Sequence, residues 1–294
     1  MDLIIYHRDC PDGFCAAFVA KKRYPEARLL GCTYGEAPPM DEVRWKDVLV
    51  VDFSWDRDTV IAMACSATSF EVLDHHKTAQ QNLAGLDCAT FDMNRSGAAL
   101  AWDKLFSGPR PWYVDYVQDR DLWQWKLPNS KEISAYVMAL PHTIEAWSEL
   151  DTITAEDAAR LGVGVRKQVE HYIEKIAAQA REGNFWDFKT AVVNAPYTNI
   201  SDVLNRLCEQ GYDVGLGWFE RKDGRVQFSL RSIGDTDVSL IAKNYGGGGH
   251  KNAAGFELPL AEGRALVDSV LGRNTSFDWG ALQKLRSADN KGLY

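Results

Sequence analysis

Side chains that bind metal ions follow three separate apolar runs in the first half of the chain. The runs open the segments "LIIYHRDCPDGF", "DVLVVDFS" and "SFEVLDHH", and each has the length and apolar character of a strand. The metal-binding residue types that end or follow them are His7, Asp9, Asp12, Asp52, Asp74, His75 and His76. Because the carboxyl ends of parallel strands share one edge of a sheet, we expect these side chains to converge there.

Such a group of carboxylates requires positive charge, since like charges repel and raise each other's pKa values. A single aspartate after a strand commonly forms a turn or caps a helix, so Asp52 alone would mean little. Metal-binding residues at three strand ends together predict a site for divalent cations. The mixture of histidine and aspartate donors favours Mn²⁺, with Mg²⁺ as the alternative.

A glycine run near the end of the chain predicts an anion site. In "YGGGGHKNAAGF", residues 246–249 are all glycine, so backbone N–H groups can approach a phosphate closely. A flexible linker is the alternative, but the run stands between a predicted helix and an apolar strand. Arg231 in "FSLRS" could clamp a phosphate, and Arg95 in "MNRSGAAL" stands at a predicted helix start, where anions are favoured. A plain surface charge is the alternative for both arginines.

The order of the predicted elements describes a two-domain α/β protein. Apolar runs alternate with helical stretches through the first half, which predicts a parallel sheet covered on both faces. A long helical stretch then opens with a capping box formed by Thr154 and Asp157. We therefore predict a parallel-sheet domain over residues 1–153, a connecting helix over 154–186 and a smaller α/β domain over 187–294. The final segment, "SADNKGLY", is predicted to be frayed.

Composition and charge narrow the class of protein. The 294 residues carry a net charge of −8, whereas proteins that track long nucleic acids usually have a basic face. The six cysteines are scattered without a C-x-x-C pair, which favours a reducing compartment over a disulfide framework. The N-terminus does not resemble a signal peptide, and no run has the length of a membrane span. We expect a cytoplasmic protein with no membrane partner and a short phosphorylated substrate rather than a long duplex.

Together these motifs resemble those of the DHH phosphoesterase superfamily, in the branch with a DHH-associated C-terminal domain that includes oligoribonucleases (nanoRNases) and RecJ-like exonucleases. The resemblance covers nearly the whole chain and rests on "HRDCPDG", "VVDFS", "DHH", "YVQDRDLW", "SLRS" and "GGGGHKNAAGF". One departure is the first motif, in which Cys10 and Pro11 both separate Asp9 from Asp12. It leaves open which of the two aspartates binds which metal ion.

The resemblance implies a role for each matching position. The implied metal ligands are His7, Asp9, Asp12, Asp52, His75 and Asp119. Asp52 would bridge two metal ions, and Asp121 competes with Asp119 for the fourth motif. The implied catalytic group is Asp74, His75 and His76, in which Asp74 supports its neighbour. The family uses no thiolate in the first motif, so no role is implied for Cys10. The predicted substrate-binding residues are His76, Arg95, Arg231, Ser232, Gly247, Gly248, Gly249 and His250.

The activity implied by the resemblance is that of a phosphoric ester hydrolase. The favoured form is a metal-dependent phosphodiesterase that converts short oligonucleotides or linear dinucleotides to mononucleotides, with water activated by two metal ions. The alternatives are a pAp phosphatase, a cyclic-dinucleotide phosphodiesterase, a RecJ-type exonuclease on longer single strands, or a nucleotide sensor without hydrolytic activity. The choice between RNA and DNA, the polarity of cleavage, and the choice between monomer and homodimer stay open.

Overall fold

The structure is a computed structural model that describes residues 1–273. The chain divides after Val169 into two compact units, the second of which begins at Glu170. None of the helices within the described residues combines the length and apolar character needed to cross a membrane. The predicted frayed segment "SADNKGLY" lies outside the described residues.

The first unit contains a parallel sheet of five strands in the order β2-β1-β3-β4-β5. The strands are β1 (Leu3–His7), β2 (Arg28–Cys32), β3 (Asp47–Val51), β4 (Ser69–Asp74) and β5 (Ala89–Phe91). The register aligns Ile5 with Val50 and Val50 with Val72, so the three strands with predicted metal-binding ends are direct neighbours.

Helices cover both faces of this sheet. They are α1 (Pro11–Arg23), α2 (Met40–Val43), α3 (Arg57–Ser66), α4 (Lys77–Asn82), α5 (Gly97–Leu105), α6 (Trp112–Asp121), α7 (Ser130–Ala139) and α8 (Ile144–Ser148). Successive residues of β1 point to opposite faces. Ile4 accordingly belongs to the buried cluster that contains Trp147, while Leu3 and Ile5 belong to the one that contains Met63. The predicted parallel sheet with two covered faces is confirmed.

A long helix, α9 (Ala155–Ala177), crosses the boundary between the units. Its capping box is present, because Asp157 N donates to Thr154 Oγ1 at 3.1 Å and Thr154 N donates to Asp157 Oδ2 at 3.2 Å. The helix ends earlier than the predicted residue 186, since residues 181–185 form a strand. The segment "REGNF" lacks the alternation of apolar and polar residues that predicts a strand. Its extended conformation depends on antiparallel pairing with the strand that follows.

The second unit has a mixed sheet of six strands in the order β10-β11-β9-β8-β7-β6. The elements are β6 (Arg181–Phe185), β7 (Phe188–Asn194), α10 (Ile200–Glu209), β8 (Val214–Glu220), β9 (Arg225–Ser232), α11 (Val238–Asn244), β10 (Gly248–His250), β11 (Ala253–Pro259) and α12 (Leu260–Val270). Strands β8 and β9 form the antiparallel hairpin that "KDGR" predicts. The rings of Phe228 and Phe256 stack with their centroids 4.7 Å apart in the core of the second unit. The predicted second α/β unit is confirmed.

Candidate metal centre

Three neighbouring strands carry histidine and aspartate side chains to the carboxyl edge of the first sheet. His7 ends β1, Asp52 follows β3, and Asp74 ends β4 directly before His75. Asp52 has a left-handed backbone with φ of 55°, and its N–H still donates to Leu73 O at 2.9 Å. The chain therefore turns away immediately after β3 while Asp52 stays tied to the neighbouring strand.

The buried imidazole of His75 lies among three carboxylates. Its Nε2 is 3.0 Å from Asp52 Oδ1, 3.5 Å from Asp121 Oδ2 and 3.7 Å from Asp12 Oδ2. The second oxygen of Asp52 is 3.6 Å from His7 Nδ1. Asp52 thus faces two imidazoles with its two oxygens, which is the arrangement needed to share a carboxylate between two cations.

Glycines allow two helices to approach these strand ends. Asp12 accepts hydrogen bonds from the first two backbone N–H groups of α5, at 2.6 and 3.1 Å. A Cβ atom on Gly97 would lie 2.4 Å from Asp52 Cβ, and one on Gly13 would lie 2.3 Å from His7 O. Neither position can take a side chain unless the cluster moves. No role was predicted for either glycine, and each stands in the first turn of a helix, Gly13 in α1 and Gly97 in α5.

The carboxylates of the cluster repel one another. Burial, together with Asp52 and Asp121, raises the pKa of Asp12 well above its usual value. Burial disfavours a charged His75, but Asp121 and Asp52 outweigh it and raise the pKa of His75 well above its usual value. Burial disfavours a charged Asp52 as well, yet the adjacent imidazoles of His7 and His75 lower its pKa well below its usual value. Additional positive charge would relieve this repulsion.

Several buried oxygen and nitrogen atoms of the cluster could act as ligands of a cation. Both oxygens of Asp52, Asp121 Oδ2 and His7 Nδ1 are buried, yet none makes a hydrogen bond of ordinary geometry within residues 1–273. Sets of three residues whose ligand atoms lie within 4.8 Å of one another are Asp12–His75–Asp121, Asp52–Asp74–His76 and His7–Cys10–Asp52. Carboxylate oxygens mixed with imidazole nitrogens suit divalent cations. The residues therefore fit such ions, and Asp52 is common to two of the sets.

Asp74 organises the turn that carries the two histidines. Its Oδ1 accepts from the backbone N–H groups of His75 at 2.7 Å and His76 at 3.2 Å, and it lies 2.7 Å from His76 Nδ1. Ser54 Oγ donates to the other oxygen at 3.2 Å. Against the effect of burial, His76 lowers the pKa of Asp74, and Asp74 raises the pKa of His76. Since Nδ1 faces Asp74, Nε2 is the nitrogen that His76 can present to another group.

The fourth motif places Asp121, rather than Asp119, in the cluster. Asp119 is buried, and its carboxylate accepts hydrogen bonds from Lys126 N at 2.9 Å, Leu127 N at 3.2 Å and Ser130 Oγ at 2.6 Å. These bonds fix the loop between α6 and α7. The structure thus brings Asp121, and not Asp119, beside His75, and metal binding by Asp121 stays a prediction.

In the first motif, the structure brings Cys10 rather than Asp9 to the cluster. The Asp9 side chain is 63% exposed, and its carboxylate lies 3.7 Å from Arg8 Nε. The ligand atoms of His7, Cys10 and Asp52 instead lie within 4.8 Å of one another. The prediction of Asp9 as a ligand does not match this geometry, because its backbone φ of 60° turns the side chain outward. The sequence motif implied no role for Cys10.

Arg95 is engaged in ion pairs. Its Nε lies 3.0 Å from Asp92 Oδ2, and its Nη1 lies 3.0 Å from Asp103 Oδ2. These contacts occupy the guanidinium that was predicted to bind substrate. A phosphate would have to displace them.

Two predicted substrate-binding residues of the second unit lie at the end of β9. Arg231 Nη2 donates to Ser201 Oγ at 2.5 Å. Ser232 Oγ donates to Thr236 O at 2.7 Å and accepts from Asn252 Nδ2 at 2.9 Å. The Ser232 hydroxyl therefore holds a turn, which does not match its predicted contact with substrate.

The glycine run forms part of a hairpin. Strand β10, which ends at His250, pairs antiparallel with β11. A Cβ atom on Gly247 would lie 2.0 Å from Gly255 O, and one on Gly249 would lie 2.5 Å from Ala253 O. The close approach of the two strands thus already requires glycine at these positions. Phosphate binding by residues 247–250 stays a prediction.

Comparison with known proteins identifies part of the second unit. Residues 188–272 match the DHHA1 domain. The chain is also 29% identical, over 304 residues, to uncharacterized protein R106 of Acanthamoeba polyphaga mimivirus. That similarity covers 92% of this chain and 70% of the viral protein.

Solved structures share the fold over nearly the whole chain. The DHH domain of a protein assigned to a family of ribosomal proteins has a TM-score of 0.59 at 13% identity, over 92% of this chain and 86% of that one. An exopolyphosphatase-related protein from Bacteroides fragilis has a TM-score of 0.51 at 13% identity, over 96% and 93%. Exonuclease RecJ bound to manganese has a TM-score of 0.51 at 15% identity, over 94% and 91%. At these identities, the similarity establishes the fold alone.

The chain thus combines a parallel sheet that has Asp-His-His at its carboxyl edge with a second unit in which residues 188–272 match the DHHA1 domain. The fold of the chain is that of the solved DHH domain and of exonuclease RecJ.

Proposed function

We propose that this protein is a metal-dependent phosphodiesterase that hydrolyses short oligonucleotides or linear dinucleotides to mononucleotides. One observation carries the proposal. His75 Nε2 lies within 3.7 Å of carboxylate oxygens from Asp12, Asp52 and Asp121, and Asp52 also faces His7. Phosphatases and nucleases commonly use pairs of divalent cations held by donors of this kind.

Two divalent cations at this cluster would supply Lewis acidity toward the phosphate and would lower the pKa of a water molecule toward neutrality. We favour Mn²⁺, with Mg²⁺ as the alternative, because the donors include imidazole as well as carboxylate. The RecJ structure of similar fold, which contains manganese, supports this choice. The proposed ligands are His7, Asp12, Asp52, His75 and Asp121.

His76 has the role of stabilising charge on the phosphate. Asp74 holds its Nδ1 at 2.7 Å and raises its pKa, which favours a protonated ring. A protonated ring can donate a hydrogen bond from Nε2 to a phosphate oxygen as negative charge develops there. Asp74 acts through His76 and is therefore a positioning residue.

The second unit contains two candidate phosphate-binding groups of its own. Arg231 can bind phosphate through its guanidinium, and His250 can donate a hydrogen bond from its ring. The net charge of −8 disfavours a long nucleic acid, whose binding depends on many phosphate contacts with basic residues. A substrate with few phosphates is therefore the better match.

The experiment that tests the proposal measures turnover of the full chain with Mn²⁺ on a 5′-hydroxyl dinucleotide. This substrate has no terminal phosphate, so only a diesterase can cleave it. The Asp52→Asn variant serves as the control for contaminating nucleases. We expect one nucleoside and one mononucleotide from each molecule cleaved by the unsubstituted protein, and neither product from the variant.

Other substrates separate the alternatives. Activity on pAp with none on any dinucleotide would refute the diesterase and support a phosphomonoesterase. Equal rates on dinucleotides and long single strands would support a RecJ-type exonuclease. Turnover confined to cyclic dinucleotides would identify a signal-degrading enzyme, and binding without any turnover would identify a sensor.

A further inference from the structure

The thiol of Cys10 lies in the metal cluster. Cys10 is the residue before α1, and its carbonyl accepts from Phe14 N at 2.9 Å, which fixes its backbone. The sulfur atom, an imidazole nitrogen of His7 and a carboxylate oxygen of Asp52 all lie within 4.8 Å of one another. The DHH resemblance implies no thiolate ligand at this position.

A second observation concerns buried polar atoms beside the thiol that lack ordinary hydrogen bonds. Asp52 is 1% exposed, and neither of its oxygens makes a hydrogen bond of ordinary geometry within the described part of the chain. The same holds for His7 Nδ1. Buried polar atoms in folded proteins nearly always have a partner, so this group of atoms indicates an ion.

The geometry and charge of the three donors match a four-coordinate ion. Sulfur and nitrogen bound tetrahedrally to Zn²⁺, at about 2.3 and 2.1 Å, lie roughly 3.6 Å apart. Atoms within 4.8 Å of one another reach that spacing by side-chain adjustments on the order of an ångström. A thiolate, a carboxylate and a neutral imidazole carry two negative charges in total, which balance a divalent cation.

We propose that Cys10 Sγ is a metal ligand together with His7 and Asp52, and that this half of the cluster prefers thiophilic divalent ions such as Zn²⁺ to Mg²⁺. Soft sulfur donors select such ions, whereas sites built only from oxygen suit Mg²⁺ and Mn²⁺. As the sulfur–metal bond forms, the thiol proton leaves to solvent. The Asp12–His75–Asp121 set, which has no sulfur, keeps the preference for Mn²⁺, so the two cation positions differ in selectivity. The inference rests on the proposed function only in taking the cluster to be a two-cation site.

The test uses Co²⁺ as a spectroscopic substitute for Zn²⁺ on the full chain freed of metal. A cobalt–thiolate bond produces a charge-transfer band in the near ultraviolet, which oxygen and nitrogen donors do not produce. We expect the band in the unsubstituted protein and in Cys65→Ser, whose thiol is exposed on α3. We expect its loss in Cys10→Ser, along with a fall of at least about tenfold in the affinity of one Zn²⁺ equivalent, measured by competition with a chromogenic chelator.

A band that persists in Cys10→Ser, or unchanged Zn²⁺ affinity in that variant, would overturn the proposal. If Cys10→Ser does not fold, X-ray absorption of the unsubstituted zinc-loaded protein decides. One sulfur neighbour of zinc supports the proposal, and a coordination shell without sulfur overturns it. No substrate is involved, so a negative result leaves the dinucleotide assay, and the function it tests, unaffected.

Discussion

The substitutions Asp119→Asn and Asp121→Asn should have opposite effects on the stability of the metal-free protein and on its stabilisation by Mn²⁺. Asp119 accepts three hydrogen bonds that hold the loop between α6 and α7, whereas Asp121 Oδ2 faces His75 at 3.5 Å. Asp119→Asn turns one acceptor into an NH₂ group, so at least one donor of the loop loses its partner. Leaving a buried donor unsatisfied costs about 2–3 kcal/mol when the lost acceptor is charged. For a unit of this size, that loss lowers the melting temperature by roughly 4–12 °C.

Asp121→Asn should not lower stability in the metal-free protein. Burial and the nearby Asp52 raise the pKa of Asp121, although His75 opposes the shift. Folding therefore disfavours the ionised form, and a neutral isostere removes that cost. The same substitution removes a proposed ligand, so the rise in melting temperature on adding Mn²⁺ should shrink or vanish.

Thermal unfolding followed by tryptophan fluorescence, with EDTA and then with increasing Mn²⁺, measures both effects. Most of the tryptophans, including the fully buried Trp147, lie in the first unit, so the signal reports on that unit. Asp119→Asn should melt lower yet keep its response to Mn²⁺. If it instead kept full stability and lost the response, the assignment of the two aspartates would be reversed.

Three further predictions concern the same cluster. Mn²⁺ at about one hundred times its Kd should stabilise the unsubstituted protein by about 2.7 kcal/mol in calorimetry; an equal gain in Asp52→Asn would refute ligation by Asp52. Burial lowers the pKa of His75, but Asp121 and Asp52 outweigh burial and raise it. The protonated ring therefore stabilises the metal-free fold fully below about pH 6.5, the pKa of an unfolded histidine. This stabilisation is lost as the pH rises through the higher pKa of the folded state. Urea unfolding in EDTA should show that decline, and saturating Mn²⁺, which binds neutral imidazole, should abolish it; a flat profile in EDTA would contradict the charge assigned to His75. Gly97→Ala should displace Asp52 and weaken Mn²⁺ binding in calorimetric titration. Gly164→Ala, whose added Cβ would meet no described atom within 4 Å beyond the neighbouring backbone of its own helix, should bind normally. Equal binding by both variants would refute the displacement of Asp52.

Much of the first unit follows from local pattern. Apolar runs such as "VLVV" in β3 and Val72–Leu73 in β4 are buried because helices cover both faces of a parallel sheet, and such runs identify their strands. The end of α9 could not be located in this way. The strand of residues 181–185 pairs at the edge of its sheet, and its conformation depends on a partner rather than on its own composition.

The glycine run shows a second feature that residue type alone could not predict. Four glycines in sequence favour either a linker or an anion loop, because the residue type reports only conformational freedom. The hairpin of β10 and β11 requires Gly247 and Gly249 because backbone carbonyls lie where their Cβ atoms would be. That requirement arises from residues such as Gly255, which are in contact in space but separate in sequence.

The sequence by itself determined the kind of chemistry, because the donor types and their places after three apolar runs are local properties of the chain. Only the tertiary structure decided which neighbouring side chains take part. Asp119 and Asp121 stand two residues apart on α6, and two residues turn a helix by roughly 200°, so only one of them can face His75. Asp9 has a positive φ and points outward while Cys10 lies beside His7, a difference in direction that residue type does not reveal.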